Sequence, residues 1–133
     1  MQIDNIKWQE LLEKAKATSK QAYAPYSGYK VGAAILSSSG KIYCGCNVEN
    51  ASFSLTICAE RNALFQAISE GERSFTALAI YVDSDKSFPP CGACRQVLAE
   101  FAPKLPILIA NRKTSKKTSL DLLLPDRFTL SDA

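Results

Sequence analysis

A chain of 133 residues with 47% hydrophobic and 22% charged residues is sized for one globular domain, residues 1–133, and a second is not expected. No stretch approaches the roughly 20 apolar residues of a membrane span, and the opening MQIDNIKWQE lacks an apolar run of signal-peptide length, so a cytoplasmic location is expected. The formal net charge of +3 is too small to choose a partner, and five cysteines without a secretory signal favour metal binding or thiol chemistry over a disulfide framework.

Trp8, Leu12, Ala15, Ser19 and Ala22 fall at helical spacing, which predicts a first helix ending near Tyr23, where YAPYSGY places Pro25 and Gly28. VGAAILS and KIYCGCNVEN read as strands joined by the turn SSG, a hairpin closed at Gly40. The period then changes. Ser54 or Thr56 is placed to cap a helix whose Ala59, Ala63, Ala67 and Ile68 form a small-residue packing face, and Gly71 stops it. TALAIYV reads as a buried strand, CGACRQVLAEFA as a helix ended by Pro103, PILIA as another strand, and SLDLLLPDRF as a short helix followed by an extended tail. The basic run NRKTSKK reads as a solvated loop, because no aromatic side chains interleave with its charges as they do on a nucleic-acid surface. Strands separated by helices favour an α/β layer structure in which helices cover a mixed sheet.

The chain has no histidine, so any metal centre must draw on sulfur and carboxylate. Cys91 and Cys94 stand three apart at a helix start, where residues i and i+3 share a face and can hold one ion. A helix N-terminus also carries partial positive charge, which favours the thiolate a metal needs. With Cys58 at a similar helix start, three thiolates make a zinc site with one of four tetrahedral positions open, the position where a catalytic zinc holds water. Glu60 lies two residues from Cys58, a spacing suited to working beside the metal as a proton carrier rather than binding it. Arg61 is placed to offset the excess thiolate charge through hydrogen bonds to sulfur. Taken alone, C-x-x-C is shared with structural zinc modules and thiol oxidoreductases, and the latter gives no task to Cys58 and Glu60. Jointly, C-x-E upstream of P-C-x-x-C matches the zinc deaminase signature with cysteine replacing histidine as first ligand.

The segments YAPYSGYKVGAAI, GCNVENASFSLTICAERNAL, PPCGACRQVLAEF and LLLPDRF, from about Tyr23 to Phe128, resemble the short, homotetrameric type of cytidine deaminase in order and spacing. The resemblance implies a three-layer α/β/α fold with a mixed five-stranded sheet. It implies one zinc per chain on Cys58, Cys91 and Cys94, with Glu60 as proton shuttle. Asn47 and Glu49 then hold the ribose hydroxyl, the Ala59 backbone lies near the pyrimidine O2, and Phe128 reaches a neighbouring subunit's site. The implied reaction is hydrolytic deamination of cytidine and deoxycytidine in pyrimidine salvage, by a cytoplasmic homotetramer with shared sites and neither membrane nor nucleic acid as partner. The alternatives are a structural zinc module that binds a partner and a deaminase of another cytosine nucleoside such as blasticidin S. Three positions depart from the usual pattern. Tyr29 stands where a phenylalanine commonly stacks on the base, Phe53 replaces a common tyrosine, and Pro89 replaces a small hydroxyl residue while retaining the carbonyl that meets the exocyclic amine. Cys44 and Cys46, too tightly spaced for the usual zinc pair and on one face of a strand, are expected to be ordinary thiols.

Overall fold

Strands buried on both faces need helices on both faces, and the order of elements supplies them. The computed structural model describes residues 4–130. In chain order they form α1 (Asn5–Ser19), β1 (Val31–Ser37), β2 (Ile42–Cys46), α2 (Ala59–Ser69), β3 (Phe75–Val82), α3 (Gly92–Phe101), β4 (Pro106–Ala110), β5 (Ser115–Ser119) and α4 (Leu120–Leu123). The strands make one mixed sheet in the order β2-β1-β3-β4-β5. Only β3 and β4 run parallel, and α3 is the crossover that a parallel pair requires.

Alternation along the central strands sorts the core into two clusters. Ala33, Ile35, Leu78, Ile80, Ile107 and Ile109 pack against α2, α3 and α4, whereas Ala34, Leu36, Ala77, Ala79 and Leu108 pack against Trp8, Leu11 and Ala15 of α1. The result is the three-layer α/β/α arrangement with five strands. Two glycines set how closely the layers approach. A Cβ on Gly32 of β1 would stand 1.9 Å from the Ala15 carbonyl oxygen of α1, and one on Gly45 of β2 would stand 2.3 Å from the Ala63 nitrogen of α2. The small face expected on α2 is there: Ala59, Ala63 and Ala67 are fully buried, and they let that helix lie against the backbone of β2. Gly40 closes the β1–β2 hairpin at φ 92°, in the region that favours glycine.

Three sequence expectations need correction. The first helix stops at Ser19 rather than near Tyr23, since the backbone of Tyr23 is drawn into pairing: its N–H donates to the Asn47 carbonyl at 3.0 Å, and its own carbonyl accepts from Glu49 N at 2.9 Å. Neither Ser54 nor Thr56 caps α2. Residues Phe53–Leu55 form a 3₁₀ turn, Thr56 Oγ1 accepts from Asn50 N at 3.0 Å, and the residue preceding the helix is Cys58. The basic run is not wholly loop, because Ser115–Ser119 pairs antiparallel with β4. Lys116 and Lys117 sit on an edge strand, where charge is compatible with strand pairing and discourages further pairing; Lys117 lies over the Trp8 ring, 5.4 Å from its centroid.

No helix among the described residues is long and apolar enough to cross a membrane. The last three residues of the expected extended tail lie outside the described ones.

Candidate active site

The N-termini of α2 and α3 converge on three sulfurs. Cys58 and Cys91 each occupy the extended position immediately before a helix, and Cys94 follows on the first turn of α3, where its N–H donates to Cys91 Sγ at 3.4 Å. The Cys58 and Cys91 sulfurs are 3.7 Å apart, Cys91 and Cys94 3.4 Å, and all three lie within 4.8 Å of one another. Tetrahedral zinc with Zn–S bonds of about 2.3 Å needs sulfurs about 3.8 Å apart, so the set fits one zinc and leaves a fourth vertex open. Among the described residues no other group of three such ligands comes together. Cys44 and Cys46 lie on β2 away from this cluster; Cys44 packs against the α1 core, and burial raises the Cys46 thiol above its usual value.

Electrostatics suit the chemistry of a thiolate site. A hydrogen bond from Cys94 lowers the Cys58 thiol to about 5; burial opposes this, and a further hydrogen bond from Arg61 supports it. Cys94, which gives that hydrogen bond and is itself buried, is pushed up. Arg61 Nη2 lies 3.6 Å from Cys58 Sγ, the placement needed to offset thiolate charge, and its buried Nε meets no acceptor among the described residues. Glu60, on the first turn of α2, is only 5% exposed. Burial raises its carboxyl to about 7, helped by the Cys58 thiolate and opposed by Arg61 and Cys94. A divalent cation beside it pulls that value back down.

Cys58, Ala59, Glu60 and Cys91 border one cavity of about 330 Å³ together with Asn47 and Glu49. Asn47 is buried and spans the entry to β1: its Oδ1 accepts from Val31 N at 2.9 Å and its Nδ2 donates to the Tyr29 carbonyl at 2.8 Å. One amide hydrogen and one lone pair then remain for a ligand. Glu49 Oε1 accepts from Tyr26 N at 2.9 Å and Ser27 N at 3.1 Å, and Oε2 accepts from Ser27 Oγ. Although burial opposes it, these bonds from Ser27 and Tyr26 keep the carboxyl below its usual value, ionised and oriented. Tyr29 and Pro89 also border the cavity. Phe53 does not: it stands edge-on to Tyr26 at 6.1 Å in an adjoining hollow. The Phe128 ring lies outside the cavity of its own chain and is 68% exposed, so it is not an anchor onto its own sheet.

Three residues near the site were not singled out from the sequence. Ser27 sits inside the YSG turn and supplies two of the three bonds to Glu49. Phe88 borders the cavity and meets Tyr29 edge to face at 4.8 Å. Asn62 of α2 donates from Nδ2 to the Cys46 carbonyl at 2.8 Å, tying the strand that precedes Asn47 to the helix that carries Glu60. Only Ser27 had a cue, a small hydroxyl residue before a turn glycine.

This pairing of a three-cysteine centre with a buried carboxylate defines a zinc-dependent deaminase site, and comparison with known proteins agrees. The profile of the cytidine and deoxycytidylate deaminase zinc-binding region matches residues 6–109. The chain is 47% identical over 126 residues to a cytidine deaminase of Sporosarcina psychrophila, covering 93% of each chain. It is 44% identical to a cytidine deaminase of Halalkalibacterium halodurans, covering 93% of this chain and 96% of that one. A crystal structure of cytidine deaminase from Burkholderia pseudomallei superposes with a TM-score of 0.85 at 48% identity, covering 90% of this chain and 98% of that one. The chain belongs to the cytidine and deoxycytidylate deaminase family.

Proposed function

We propose that this chain, as a single catalytic domain, hydrolyses the C4 amino group of cytidine and deoxycytidine, giving uridine or deoxyuridine and ammonia. The observation that carries this reading is that one cavity has Cys58, Cys91 and Glu60 among its walls and also the Asn47–Glu49 pair. That combination offers a reactive centre for the base and hydrogen-bonding groups for a sugar. Relatives named cytidine deaminase over nearly the whole chain support it. A structural zinc module would leave both the buried Glu60 and the cavity without a role.

Cys58, Cys91 and Cys94 would hold one zinc, which when bound would supply the Lewis acidity that makes a water nucleophilic at neutral pH. Glu60 accepts a proton as water adds at C4 and delivers it to N3, then takes the proton of the new C4 hydroxyl and passes it to the amino group, which leaves as ammonia as the C4–N bond breaks and C4 becomes a carbonyl. Burial raises the proton affinity of the Glu60 carboxyl and a cation held beside it lowers it, opposing effects on a group that must both take and give a proton. Arg61 offsets the thiolate charge. Asn47 donates to a ribose hydroxyl and the ionised Glu49 accepts from it, a recognition that a free base cannot satisfy. The Ala59 backbone meets the pyrimidine O2, the Pro89 carbonyl meets the exocyclic amine, and Tyr29 supplies a stacking face. Phe128 reaches the cavity of a neighbouring copy in a homotetramer. The setting is cytoplasmic recovery of pyrimidine nucleosides.

An ultraviolet assay across cytidine, deoxycytidine, cytosine and blasticidin S tests the reading. Turnover of the first two with cytosine inert is expected. Efficient use of cytosine removes the sugar pair from recognition, and turnover of blasticidin S alone reassigns the substrate.

A further inference from the structure

The two residues that follow Cys94 on α3 are engaged with the C-terminal segment. Arg95 Nε donates to the Pro90 carbonyl at 2.8 Å and Nη1 to the Leu123 carbonyl at 3.0 Å, joining the approach to Cys91 with the end of α4. Gln96 makes a two-point clamp on Phe128: Nε2 donates to the Phe128 carbonyl at 2.9 Å, and Oε1 accepts from Phe128 N at 3.2 Å. Residues 124–129 belong to no helix or strand, so these side-chain bonds stand in for a missing ladder. The Phe128 ring nevertheless remains in solvent. A residue whose two backbone polar groups are fixed while its aromatic ring is left exposed is held for presentation to something outside its own core.

We propose that Gln96 is the positioning residue that presents the Phe128 ring to the cavity of a second copy of this chain. The proposal rests on the reading of Phe128 given above and deepens it. Glutamine suits the task because its side-chain amide carries a donor and an acceptor that pair with the N–H and C=O of one residue; glutamate lacks the donor and asparagine the length. Fixing the backbone before assembly removes ordering entropy that binding must otherwise overcome, so the clamp acts on substrate affinity. Glu60 and the sulfurs make no hydrogen bond to Gln96, and the chemical step is untouched.

Zinc-loaded enzyme carrying Gln96→Leu, Phe128→Ala or both tests this in steady-state kinetics with cytidine. Gln96→Leu is expected to raise KM by about tenfold, the factor for one to two ordinary hydrogen bonds, with kcat within about twofold of wild type. One zinc per chain and the wild-type assembly mass should remain. Gln96→Met, unbranched and similar in length, gives the same split if leucine disturbs the packing of α3. The double variant should match Phe128→Ala, since the clamp has nothing to present once the ring is gone. Gln96 variants at the wild-type KM, or additive losses in the double variant, overturn the clamp while the role of Phe128 stands. A wild-type KM in Phe128→Ala overturns that role and the clamp with it.

Discussion

Glu60 shows how one residue's setting fixes its chemistry. On the first turn of a helix it would ordinarily be solvated and favour the helix N-terminus as a carboxylate. Here it is buried between thiols and its proton affinity rises. Glu60→Gln keeps the shape and the hydrogen-bond acceptor but cannot carry a proton, so zinc content should stay at one per chain while kcat falls about 10²–10⁴-fold. Metal analysis beside a turnover assay checks this, and turnover equal to wild type removes Glu60 from the mechanism. The sulfurs separate in the same experiment. Cys91→Ala should lose both zinc and activity, whereas Cys44→Ala, on the opposite face of the sheet, should keep both. Cys58, Cys91 and Cys94 were legible in the sequence because metal geometry constrains spacing tightly, and Glu60 because the C-x-E pattern sets it beside them. Ser27, Phe88 and Asn62 were not, since a serine, a phenylalanine or an asparagine acquires its task only from what the fold sets opposite it.

At the scale of elements, the site depends on how α2 lies on the sheet. Gly45 allows that approach, and a methyl group there collides with backbone rather than with a side chain that can swing aside. Gly45→Ala should destabilise the fold by about 1–3 kcal/mol, as overpacking does, and should lower activity because α2 carries Glu60. Gly92→Ala, where an added Cβ meets nothing within 4 Å, is the control and should melt at or above the wild-type temperature. A wild-type melting temperature in Gly45→Ala would show that the helix can shift freely. A second device closes the far end of the β1–β2 hairpin. The Glu72 carboxylate accepts from Ser37 Oγ, from Ser39 Oγ at 2.8 Å and from Tyr43 OH at 2.8 Å, and these bonds hold its pKa below the usual value. A depressed folded-state pKa gives stability that is present above the unfolded value and lost as pH falls through the folded one. The gap in denaturation midpoint between wild type and Glu72→Gln should therefore be largest near neutral pH and close on acidification below about 4; a gap independent of pH would leave the carboxylate charge without a part. The sequence showed the hairpin and the small face of α2 through periodicity. It hid β5, whose lysines and serines lack the apolar alternation by which a strand is recognised, and it hid the stop of α1, which is set by pairing with residues 47–49.

On the whole molecule, the described surface leaves several large apolar side chains exposed. Tyr26, Val48, Phe53 and Leu55 come from the loops beside Asn47 and Glu49, and Leu122, Phe128 and Leu130 from α4 and the segment after it. Single exposed hydrophobics are ordinary, but apolar residues gathered beside a cavity mouth and along one terminal segment are of the kind that suits a contact with another protein. The homotetramer proposed above would use two such patches as its symmetric contacts, two kinds of contact being what closes a tetramer. In that proposed assembly each cavity would be walled partly by its own chain and partly by a neighbour, which would link catalysis to assembly. Sedimentation of the wild type should give the mass of four chains. On dilution, specific activity per chain should fall over the same concentration range in which the sedimenting mass falls, and a slowly hydrolysed cytidine analogue should shift both transitions to lower protein concentration, because a ligand that binds the assembled form stabilises it. A monomer that retains full specific activity would break that link and return Phe128 to an exposed residue without a catalytic part, while the chemistry of Glu60 and the three cysteines would stand on its own geometry.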